Sequence, residues 1–256
     1  MWKTNYNMKM DRKVLWARTG VEGIAIVASI LLAFSIDARW DEIQRQDAEQ
    51  TVLQTLLDDL RAKQVLLADM DRFSNAIVVS AETLLRVAAG TEQAPDEDTI
   101  YRLIADTWWV SNEALLDSAP LNLLVSGGDL SLVSNTRLVQ ELAALQVAIG
   151  RVRFHYRNDG AFHNNIMTPF MIANANMAQI SASMQHRPGH PEVTSTFPDF
   201  GFSKSYRHSE LLSNVAFQNL LVAKIERCTD ILDVGHPGVE RHLTEVIRLI
   251  EGELEI

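Results

Sequence analysis

LQTLLDDLRAKQVLLADMDRFSNAIVVSAETLLRVA, residues 53–88, decides the fold class of this chain. Leu53, Leu56, Leu60, Lys63, Leu67, Met70, Ser74, Ile77, Ala81, Leu84 and Ala88 follow one another in steps of three and four, and all but Lys63 and Ser74 are apolar. That spacing gathers a single stripe on one side of an α-helix, the heptad seam by which helices pack. No proline or glycine occurs between Ile24 and Ala89, so nothing in the backbone chemistry stops the helix upstream. If unbroken, residues 37–89 extend on the order of 80 Å. A seam of that length needs cover from other helices of the same domain or from a second copy.

Working towards the amino terminus, VLWARTGVEGIAIVASILLAFSI, residues 14–36, precedes the charged stretch DARWDE. Twenty-three helical residues cross roughly 30 Å of hydrocarbon at about 1.5 Å each. Arg18 and Glu22 interrupt the run, and its unbroken apolar part, Gly23 to Ile36, is also the length of a secretory signal core or of a buried core helix. Three features favour a retained membrane helix. Lys3, Lys9, Arg12, Lys13 and Arg18 crowd the amino-terminal side against Asp11, whereas Asp37, Asp41 and Glu42 open the other side, which places the amino terminus in the cytoplasm. Trp16 and Trp40 fall near the two interfaces, where indole rings settle. The best cleavage site, Ala33-Phe34-Ser35 before Ile36, is poor. The expected organisation is a cytoplasmic leader over 1–13, a transmembrane helix over 14–36 and an extracytoplasmic domain over 37–256.

Arg18 and Glu22 lie four residues apart and share a helix face. They form either a local ion pair that eases insertion or the start of a ridge continuing through Ala25, Ser29 and Ala33. Small residues at that spacing let a second membrane helix approach closely. The expected partners are therefore the lipid bilayer and a protein, or a second copy, met through this face.

Of 23 basic and 33 acidic residues, five basic and two acidic precede Asp37, which leaves residues 37–256 at a net charge of −13. That balance argues against a nucleic-acid partner, which requires a basic face. Cys228 is the single cysteine, so no intramolecular disulfide forms, and its place between Ile225 and Leu232 reads as a buried thiol.

SILLAFSIDARWDEIQRQ, residues 29–46, resembles the membrane exit of a family of proteobacterial single-pass inner-membrane proteins, usually close to SILLAFAIDAWWDER. LNLLVSGGDLSLVSNTRLVQELAAL and SELLSNVAFQNLLVAKIERCTDIL are similar to later segments of the same family. Arg39 stands where the family has the first of two tryptophans. The family carries no assigned activity. The resemblance implies an inner-membrane anchor, a periplasmic carboxy-terminal domain and a helical architecture.

Beyond Ala89, GTEQAPDED (90–98) reads as a loop closing on a helix that carries Ile100, Leu103, Ile104, Trp108 and Trp109. The tryptophan pair reads as core in preference to a ligand platform. Ser118 caps a short helix that Gly127 and Gly128 end. From Asn135 a long helix places Leu138, Leu142, Leu145, Ile149, Val152, Tyr156, Asp159, His163, Ile166 and Phe170 on one seam, with a kink near Pro169. His155, Asp159 and His163 on this helix are the candidate ligand or metal residues. They climb about 12 Å along the axis, too far for one ion, so a polar layer fixing helix register is the competing interpretation. Residues 186–209 read as a long loop, after which Ser209 opens the last helices, broken near Gly235 to Gly238. No catalytic residue, cofactor or metal is assigned: the GxSxG and HExxH patterns are absent, and SGGD lacks the lysine of a phosphate loop.

The expectation is an all-α protein: one amino-terminal membrane helix continuing into an antiparallel extracytoplasmic helical bundle. Its expected role is that of a membrane-tethered interaction or signalling-accessory module. A structural subunit of a larger membrane complex and a metal-dependent hydrolase using the His/Asp cluster are the alternatives.

Overall fold

The computed structural model describes residues 12–110, 116–183 and 208–255, with side chains from Val27 onward except Asp129 and Ala182. The described residues are helical and contain no strand. Helix α1 spans Arg12–Ala88. The chain divides into two units, one ending at Thr51 and the other beginning at Val52.

In the first unit the described side chains from Val27 to Ile36 are all exposed. Arg18, Glu22 and Ala25 lie outside the described side chains, whereas Ser29 and Ala33 are exposed. The hydroxyl of Ser35 donates to the Leu31 carbonyl at 2.7 Å. No helix among the described residues is long and apolar enough to cross a membrane. Only residues 27–36 of the expected span are described as side chains, and their rise of about 15 Å is half a hydrocarbon thickness.

The second unit is a helical bundle. After α1 come α2 (Glu97–Thr107), α3 (Ala119–Ser126), α4 (Thr136–Phe162), α5 (Thr168–Asn174), α6 (Met177–Ser183), α7 (His208–Ser213), α8 (Val215–Asp230) and α9 (His236–Glu253). Paired contacts give the directions. Arg137 meets Glu245, Glu141 meets His242 and Tyr156 meets His236, so α4 and α9 run antiparallel. Arg61 on Glu251, Gln64 on Thr244 and Asp71 on His236 set α1 antiparallel to α9 as well.

The heptad stripe of α1 is its buried face. Leu53, Leu56, Leu60, Leu67, Met70, Ser74, Ile77, Ala81 and Leu84 are buried, and only Lys63 and Ala88 are half-exposed. Helix starts follow local chemistry: Asp96, Ser118, Asn135 and Asn214 each accept backbone N–H bonds at the heads of α2, α3, α4 and α8. Asn214 divides the helix expected from Ser209 into α7 and α8, because a cap side chain offers the backbone an alternative to continuing. The expected 186–209 loop lies almost entirely outside the described residues.

Two π-helical turns interrupt the long helices, His163–Met167 after α4 and Ile231–Gly235 after α8. Each is followed by one residue and then a proline, Pro169 or Pro237. Proline lacks the N–H and crowds the carbonyl four residues back, and a widened turn relieves that crowding. The extra residue also rotates the buried face. Ile166 is exposed and Phe170 half-buried, while Met167 and Met171 fill the core, one position later than the 3–4 spacing predicts.

Candidate functional site: a polar layer between two cores

The bundle has two apolar cores. One contains Leu53 to Met70 of α1, Leu138 to Tyr156 of α4, Ile231 and the inner face of α9. The other contains Ala81 and Leu84, Ile100 to Ala105 of α2, Phe162, Met167, Met171, Leu212, Phe217 and Leu221. Along three helices polar residues occupy buried positions at the change from one core to the other: Ser74 on α1, Asp159 on α4 and Lys224 on α8.

Asp159 and Lys224 form the centre of this layer. Both carboxylate oxygens accept from Lys224 Nζ at 2.7 Å, and the side chains are 2% and 0% exposed. Removing two charges from water costs several kcal/mol each, a cost offset here by a short ion pair satisfying both carboxylate oxygens. The Ser74 hydroxyl, 1% exposed, has no partner among the described residues.

One turn before Asp159, Tyr156 bonds through its hydroxyl to His236 Nε2, and His236 Nδ1 bonds to Asp71. The chain Asp71–His236–Tyr156 links α1, α9 and α4. His236 is 1% exposed, whereas the Asp71 side chain retains 34% exposure. Burial pushes the His236 imidazole below the ordinary histidine range, against the opposing effect of Asp71. Burial also pushes the Tyr156 phenol far above its usual value, aided by the Asp71 charge. Neutral His236 matches both neighbours: Nδ1–H donates to the carboxylate and Nε2 accepts the Tyr156 proton.

The three sequence candidates occupy different environments. His155 is half-exposed with its ring edge-on to Phe154 at 5.8 Å. Asp159 is committed to Lys224. His163 packs edge-on against Trp108 at 4.7 Å, and burial followed by the Lys224 charge lowers its pKa. The structure thus places Asp159 in a buried ion pair and the two histidines against separate aromatic rings. Among the described residues no group of three or more His, Cys, Asp or Glu side chains is placed to hold a metal ion.

Trp109 packs edge-on against Phe73 at 6.5 Å, so both tryptophans lie against neighbouring rings. Cys228 is buried, and burial pushes its thiol up to about 11. Sequence reasoning missed Lys224, His236 and Asp71. A signal existed for Lys224, which stands midway between buried Leu220 and Cys228 at steps of four. No family model matches the chain, and no curated protein and no solved structure matches it.

Proposed function

We propose that this chain is a membrane-tethered interaction or signalling-accessory module: α1 anchors it in a bacterial inner membrane, with the amino terminus cytoplasmic and the helical bundle periplasmic. The observation that carries the reading is the apolar circumference of α1. Val27, Ile30, Leu31, Leu32, Phe34 and Ile36 are all exposed and point round the whole helix. A helix apolar on every side needs a buried or lipid environment. The Ser35 hydroxyl, satisfied by its own backbone, suits hydrocarbon, where water supplies no partner. Trp40 and the acids Asp37, Asp41 and Glu42 follow directly, as at a headgroup boundary. The resemblance of residues 29–46 to single-pass proteobacterial proteins supports the same topology.

The protein partner, or second copy, is met through the Arg18, Glu22, Ala25, Ser29, Ala33 face. Alkaline carbonate extraction of membranes carrying the full chain, combined with crosslinking, tests the proposal. The chain should stay in the pellet and give one reproducible crosslinked species. Release into the supernatant overturns the tether. Retention without any crosslinked species, self included, overturns the interaction module and leaves an anchor alone.

A further inference from the structure

The polar layer includes a buried histidine, His236, bonded to two other helices. His236 sits at the first position of α9, directly after the π-turn Ile231–Gly235, and its N–H reaches back five residues to the Ile231 carbonyl. Pro237 follows and supplies no N–H, so one backbone donor is missing just after this turn. Side chains also tie the head of α9 across the bundle: Nδ1 of His236 to Asp71 on α1 and Nε2 to Tyr156 on α4.

We propose that Asp71–His236–Tyr156 is a proton-operated latch that fastens the head of α9 to α1 and α4 while His236 is neutral and releases it when His236 takes up a proton. Tyr156 has one hydroxyl proton and two acceptors within reach, His236 Nε2 and the Met70 sulfur at 3.9 Å. With His236 neutral, the proton goes to Nε2, the better acceptor. A proton added to Nε2 turns the imidazole into a donor on both sides, so the Tyr156 hydroxyl must turn to the thioether, a weak acceptor. The new positive charge then lies against Tyr156, a member of the apolar core, in a side chain that is only 1% exposed. The charged and titratable groups facing it among the described residues are Asp71 from α1, Tyr156 from α4 and Glu240 from α9 itself.

Asp71 favours the cation, but its carboxylate is one-third exposed and screened by water, and it already accepts the Nδ1 proton. The same exposure gives solvent protons a path to the buried ring. The π-turn supplies the element that moves, because it stands one residue away from ordinary helical register. This latch goes beyond the proposed function and does not depend on the membrane assignment.

Hydrogen–deuterium exchange on the full chain in detergent, between pH 7.5 and 5, tests it. After correction for the intrinsic pH dependence of exchange, opening at residues 231–240 should rise as pH falls, at most about tenfold per pH unit for one linked proton. Amides of α2 should not follow. His236→Gln should flatten the response, and equal responses in His236→Gln and the unmodified chain overturn the latch. Should His236→Gln fail to fold, Asp71→Asn decides. Loss of the carboxylate removes the support for the cation in the closed state, so the ratio of opening at pH 5 to that at pH 7.5 should grow. An unchanged or smaller ratio overturns the proposal.

Discussion

At the residue scale the bundle depends on a few buried polar groups with matched partners. Asp159 and Lys224 are each other's buried ionic partner, and removing either leaves the other as an unpaired buried charge. Lys224→Met should therefore cost about 3–5 kcal/mol, whereas Asp159→Leu with Lys224→Met should recover most of that loss. Urea denaturation of the three proteins checks this, and a double variant no more stable than Lys224→Met would contradict it. The histidines act through pH. His236 and His163 both titrate below the ordinary value of 6.5 when folded, chiefly because burial disfavours the cation. Between those lowered values and 6.5 the unfolded chain binds more protons than the folded one. Stability from this source is complete above about pH 6.5 and is lost as pH falls below it. Denaturation midpoints measured from pH 8 to pH 5 should decline below 6.5, with a shallower decline in His236→Gln.

At the scale of the element, the two π-turns govern which faces meet. Gly235 lies so close to α4 that a Cβ there would come within 2.7 Å of Val152 Cγ2. Gly235→Ala should cost about 1–3 kcal/mol despite the better helix propensity of alanine, because valine has no flexible end to withdraw. Adding Val152→Ala should relieve the clash, so that the double variant is more stable than the sum of the single losses. Strict additivity in melting experiments would contradict the close approach. The same turns mark the limit of what the sequence conveys. The α1 stripe is legible almost residue by residue, because it has no proline or glycine and keeps one period. The α4 stripe is legible as far as Asp159 and then slips, since an inserted π residue moves the core from Ile166 and Phe170 to Met167 and Met171. The polar layer was half legible: Asp159 stood out as a charge on an apolar seam. Lys224 and His236 lie on other helices and meet α4 only through the tertiary pairing, which no single-helix period encodes.

For the whole molecule, the proposed function makes α1 a membrane anchor and the bundle a periplasmic domain. If the Ala25, Ser29, Ala33 ridge meets another helix, Ser29→Leu should weaken association while leaving insertion intact, because leucine is more favourable in lipid and blocks close approach. Glu22→Gln should lower association by up to about 1–2 kcal/mol if the carboxylate is shared between helices, and by almost nothing if it only pairs with Arg18. A two-helix membrane assay separates these outcomes, and unchanged association in both variants would reduce α1 to a simple tether. Paired reporter fusions read the proposed topology. A reporter active only outside the cytoplasm should work when fused after Ile256 and fail when fused before Met1. Activity at the amino-terminal fusion with silence at the carboxy-terminal one would overturn a periplasmic bundle.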